Sequence, residues 1–95
     1  MKEDKLFIIG KFEDEDPVEV RKNFIGAELK FREQGYVVMT PKPILDFIGF
    51  EHHDMMRLCF TMIDICDKVH VLENSQGKEV LEQIDYANQW HKKFI

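Results

Sequence analysis

The sequence is short of the residues that would mark a cross-linked scaffold, a membrane span or a nucleic-acid surface. Only two cysteines occur in 95 residues, Cys59 and Cys66. On one expected helix they stand about 10 Å apart along the axis, too far for a disulfide. With no further Cys and no His at ligand spacing they form no zinc site, so buried, reduced thiols are expected. No apolar run approaches the ~20 residues of a membrane span. The start, MKEDKLFIIG, carries acids and becomes strand too soon for a signal peptide. No membrane partner and a cytoplasmic location are therefore expected. Positive charge is scarce and scattered: 13 Lys and Arg face 18 Asp and Glu, for a net charge of −5. That balance argues against nucleic acid as a partner. Internal repeats, low-complexity tracts and the glycine pattern of a dinucleotide fold are also absent.

What is present fits one domain, residues 1–95, with 44% hydrophobic and 33% charged residues, enough for a single core. Lys5–Ile9 (KLFII) closed by Gly10 suits a buried parallel strand. Asp16, Pro17 and Glu19 read as N-cap, first helical residue and capping box. Val20, Phe24, Ala27 and Phe31 then make a core stripe ending before Gly35 as C′ residue. Tyr36–Met39 is a second strand stopped by the TPKP loop. Residues 44–52 should hold a turn of helix and a loop. A helix is expected from about His53 to Ile65, with Met55, Cys59, Met62 and Cys66 on its inner face. Lys68–Leu72 is a third strand, 77–91 a third helix, and Lys93–Ile95 a short last strand.

This alternation predicts an α/β fold of three-layer flavodoxin/Rossmann-like type. It has a small parallel sheet of about four strands and helices on both faces. Ligands of such sheets bind beyond the carboxyl ends of the strands, at the switch point. Three loops should line that edge: Gly10–Phe12, Thr40–Pro43 and Glu73–Gly77. Gly10, Lys11, Phe12, Pro41, Asn74 and Ser75 are the candidate ligand-binding residues there. Backbone amides after Gly10 could meet a phosphate with Lys11 adding charge, while Asn74 and Ser75 either cap the last helix or bind phosphate or ribose.

The run KLFIIGK, the helix ending in EQGYVV, the TP after the second strand, the CDKVHVL strand and the EQIDYA helix together resemble the nucleoside 2-deoxyribosyltransferase-like family. The likeness is to its short bacterial and phage branch, and it extends from Lys5 to Ile95. The resemblance implies a glutamate nucleophile on the last helix, attacking the anomeric carbon of a deoxyribose and expelling the base. It places that residue four positions before Ala87, where this chain has Gln83. A second acid, implied seven positions before Cys66, is replaced by Cys59. The Pro that often follows Gly10 is Lys11, and the NSQGKEVLEQ segment is about two residues longer than the pattern.

Helix geometry at about 100° per residue puts Val80, Leu81, Ile84, Ala87 and His91 within roughly 60° of Ile84, as a buried stripe. Gln83 then falls on the border between core and solvent, where a cleft residue belongs. Glu82 faces open water. Glu79, one turn before Gln83 and nearer the strand ends, is the candidate replacement acid. Gln83 can bind a sugar hydroxyl or a base edge but cannot act as a nucleophile.

The remaining candidates have plain readings. Cys59 is a small buried hydrophobe, or a cleft thiol without an adjacent base. His52, His53 and Asp54 invite a metal reading, but adjacent residues at a helix start diverge and neither His has a partner at i+4. Asp54 as N-cap, with both histidines in the loop, is preferred, and no metal or cofactor is expected. Glu13–Asp16 reads as a solvated acidic loop. Tyr86 and Trp90, exposed together on one helix face, suggest a homo-oligomer surface. The reading that follows is a nucleoside- or nucleotide-binding protein lacking the transferase reaction. The alternative is an active deoxyribosyltransferase or deoxynucleotide N-glycosidase using Glu79, and a ligand-free scaffold is a third.

Overall fold

A computed structural model describes residues 4–73 and 75–95. Its elements run β1 (Lys5–Ile9), α1 (Pro17–Glu33), β2 (Val37–Met39), a 3₁₀ turn (Lys42–Asp46), α2 (His52–Ile65), β3 (Lys68–Val71), α3 (Lys78–Gln89) and β4 (Lys93–Phe94). All four strands are parallel, in the order β2-β1-β3-β4. The predicted small parallel α/β sheet is the observed fold. Among the described residues no helix is long and apolar enough to cross a membrane.

The strand order follows from where the apolar residues are. Leu6, Phe7, Ile8 and Ile9 are completely buried, as a strand covered on both faces must be. The chain leaves β1 toward β2 on one side, then returns past it to β3 and β4 on the other. Right-handed crossovers consequently set α1 on one face and α2 and α3 on the opposite face. There α2 and α3 pack together, with the Phe60 and Tyr86 rings stacked at 4.3 Å. Gly10, at the end of β1, is a point of close packing: a Cβ there would lie 2.7 Å from Leu72 and 2.9 Å from Phe24.

Helix α1 starts as anticipated, with the Asp16 side chain accepting from the Val18 amide and Pro17 in the first turn. Val20, Phe24 and Phe31 are buried along it, joined by Glu28, which is held by Lys42 at 3.0 Å. Helix α2 begins earlier than expected. Glu51 is its N-cap, and Asp54 is the third helical residue, its carboxylate accepting from the Glu51 amide. His52 is therefore in the helix and not in a loop. Its buried face is Met56, Cys59 and Ile63, one position on from the expected Met55 and Met62.

The largest correction falls on α3. Its buried residues are Glu79, Val80, Gln83 and Ala87, whereas Leu81 is 62% exposed. His91 lies beyond the helix in a left-handed conformation (φ 55°) that turns the chain into β4. Two apolar residues, Leu81 and Ile84, pull a hydrophobicity-based stripe about one position away from its true centre. Gln83 is tolerated in the core because its Nε2 donates to the Glu79 carbonyl at 2.8 Å. Tyr86, expected on an outer surface, is packed on Phe60 and donates its hydroxyl to Asp64. Only Trp90 of that pair is exposed.

Candidate functional site

Strand β1 lies between neighbours reached in opposite directions, so the carboxyl ends of β1 and β3 form the switch point of the sheet. One helix cannot cover the face that two helices cover opposite, and a groove remains beside α1. It encloses about 690 Å³ and is lined by Lys11, Val20, Phe31, His70, Leu72 and Ser75, among others. That volume is typical of small-molecule clefts. Glu15, Glu19 and Glu73 stand on its walls with Lys11 and Lys30, so its charge is mixed with an acidic excess.

Behind Lys11 is a cluster of charged side chains drawn from three elements. Lys11 Nζ donates to Glu79 Oε1 at 3.3 Å, and the Glu79 side chain is only 4% exposed. Burial pushes the Glu79 carboxyl above its ordinary value, while the Lys11 ammonium opposes that shift. Glu79 sits in the first turn of α3, two residues after Gly77, the N-cap residue, whose φ of 135° is one that side-chain-bearing residues rarely adopt. A Cβ on Gly77 would meet Glu79 Oε1 at 2.9 Å and Lys11 Nζ at 3.0 Å. The ion pair is thus seated against bare backbone.

His52 occupies the gap between the loop after β1 and α3. Its Nδ1 lies 2.7 and 2.9 Å from the two oxygens of Glu13, and its Nε2 lies 2.9 Å from Glu82 Oε2. Ionised carboxylates only accept, so both ring nitrogens act as donors in this arrangement. The bond to Glu13, followed by that to Glu82, raises the His52 pKa. One ligand atom each from Glu13, His52 and Glu79 lies within 4.8 Å of the others.

The candidate residues sort clearly against this geometry. Lys11 and Glu79 meet at the switch point, and Ser75 lines the groove beside them. Gln83 is completely buried in the core, away from the expected cleft border, and its Oε1 has no hydrogen-bond partner among the described residues. Cys59 is likewise buried, and burial, with the Glu13 and Glu79 charges adding, pushes its thiol up to about 12. It is a core residue, not a cleft nucleophile. Phe12 and Pro41 are buried as well; the former joins the core and the latter caps the 3₁₀ turn. Gly10 packs against Phe24 and Leu72 on its Cβ side and is buried. Gly77, and not Ser75, precedes α3 as N-cap; Asn74 lies outside the described residues.

Sequence reasoning missed Glu13, His52 and Glu82. Glu13 is not a solvated loop residue, and Glu82 does not face open water: both grip one imidazole. The dismissal of His52 as a possible metal ligand rested on partners sought along its own helix, whereas its partners are 39 and 30 residues away in the chain.

Fold and cleft together define a small all-parallel α/β domain with a charged pocket at its switch point. The chain belongs to the family described as "Domain of unknown function (DUF4406)", whose model matches residues 4–94. No curated protein matches it.

Proposed function

We propose that this protein binds a nucleoside or nucleotide in the groove at the carboxyl ends of β1 and β3, and that it carries out no glycosyl transfer through position 83. The observation that carries this reading is the placement of a ligand-sized groove at the switch point with Lys11 on its wall. Leu72 and Val20 on its lining offer apolar contact for a base, and the carboxylates of the walls offer acceptors for sugar hydroxyls. The acidic excess favours a neutral nucleoside over its phosphates. The family resemblance of the sequence supports the same ligand class. Gln83, neutral and buried, supplies no nucleophile.

One observation favours a second reading, an N-glycosidase or deoxyribosyltransferase. Glu79 is a buried carboxylate at the strand ends with a lysine counter-ion, the kind of group that can attack an anomeric carbon while the base leaves with its electron pair. Both readings are tested by incubating the protein with deoxynucleosides and their monophosphates, with and without a second free base. Calorimetry follows binding and chromatography follows base release. Binding without release, weakened in Lys11→Met, supports the first reading. Release abolished in Glu79→Gln supports the second. Neither binding nor release from any member of the panel overturns both.

A further inference from the structure

We propose that Glu13, His52 and Glu79 form a binding site for one divalent transition-metal ion of the zinc type, with Glu82 as the outer carboxylate that orients the histidine. The inference is independent of the nucleoside reading. The donor set is two carboxylates and one imidazole, which suits zinc and its neighbours better than calcium or magnesium. The three residues come from the loop after β1, the first turn of α2 and the first turn of α3, so the fold itself brings them to one point.

Spacing supports the assignment. Tetrahedral ligands about 2.0–2.1 Å from zinc stand roughly 3.3 Å from one another. Glu13 and His52 are already 2.7 Å apart, and the whole trio lies within 4.8 Å. Small torsional changes in two glutamate side chains therefore close the set, leaving a fourth position for water or a ligand. Lys11, a third exposed, then releases Glu79 and turns toward the groove.

The orientation of His52 is the more specific feature. Both ring nitrogens donate, Nε2 to Glu82 and Nδ1 to Glu13; with an ion at Nδ1, the Glu82 bond keeps Nε2 as the protonated nitrogen. Ion binding would convert this to the carboxylate–histidine–metal arrangement, in which an outer acceptor aims the other ring nitrogen at the ion. The ion replaces the Nδ1 proton, which leaves to solvent. Partial burial also separates this cluster from His53, which is two-thirds exposed beside Glu51 and Asp54.

The test uses the full chain stripped with a chelator, titrated with Zn²⁺ by calorimetry and with Co²⁺ by visible absorption. The expected result is one ion per chain and a Co²⁺ spectrum of four- or five-coordination. Affinity should fall at least about tenfold in Glu13→Gln and His52→Gln and about 10–100-fold in Glu82→Gln, with no change in His53→Gln. Circular dichroism establishes that each variant is folded; if His52→Gln is not, the Glu13→Gln and wild-type Co²⁺ data decide. No saturable binding, a Co²⁺ spectrum of the hydrated ion, binding unaffected by Glu13→Gln, or loss in His53→Gln each overturns the proposal.

Discussion

Gln83→Glu would place a glutamate where the family resemblance puts a nucleophile, and the structure gives a definite expectation for it. Gln83 is completely buried, and its Oε1 already lacks a partner among the described residues. An ionised carboxylate there, buried and without a partner for that oxygen among the described residues, lies one helical turn from Glu79, so the folded protein will hold it protonated. The cost at pH 7 is then bounded by the cost of protonation, about 1.4 kcal/mol per pH unit over the roughly 2.7 units between an ordinary glutamate and neutrality. That is ~4 kcal/mol, a large share of the roughly 5–15 kcal/mol that stabilises a domain. The sign follows from linkage. The folded pKa is raised, so the folded state binds more protons and the penalty is absent below about pH 4. It grows as pH rises and becomes constant above the folded pKa. Urea melts of variant and wild type at pH 4.5, 5.5 and 7 should show this widening gap, with no gain of base release. Gln83→Met, which removes the orphaned carbonyl, should instead stabilise by about 1 kcal/mol, or roughly 4–8 °C in Tm. A Gln83→Glu protein as stable as wild type at pH 7, with Gln83→Met no better, would refute the placement of this residue in the core.

Three further outcomes are expected. Gly77→Ala should cost about 1–3 kcal/mol, because φ is 135° and the new Cβ meets the Glu79–Lys11 pair; a melt unchanged from wild type would contradict the loop geometry. Cys59 and Cys66, whose thiols burial pushes up to about 12 and about 11, should resist alkylation at pH 8 until the protein is unfolded, and rapid native modification would contradict their burial. In metal-stripped protein, the Glu13–His52–Glu82 contacts should contribute stability that is full below about pH 6.5 and lost as pH rises through the raised His52 pKa. His52→Gln should remove that pH dependence from thermal melts.

The elements were legible because each carries its own local signal: KLFII is apolar throughout, and Asp16-Pro17 opens α1 by chemistry confined to a few residues. The site was not, because its parts are specified by topology. All crossovers are right-handed and all strands parallel, so the loop after β1 and the first turns of α2 and α3 must end at the same sheet edge. Any titratable residue in those three segments is a neighbour of the others, whatever its distance in sequence. Glu13, His52, Glu79 and Glu82 are such residues. Helical periodicity had weighed two of them along a single helix, where Glu82 faces away and His52 has no partner. Periodicity also misplaced Gln83, since a hydrophobicity scale cannot see an amide that is buried by bonding to its own helix. A residue's polarity thus placed it poorly here, and its position relative to the strand ends placed it well. By that criterion the titratable side chains at the sheet edge gather around Glu79 and His52, and Gln83 belongs to the packing beneath them.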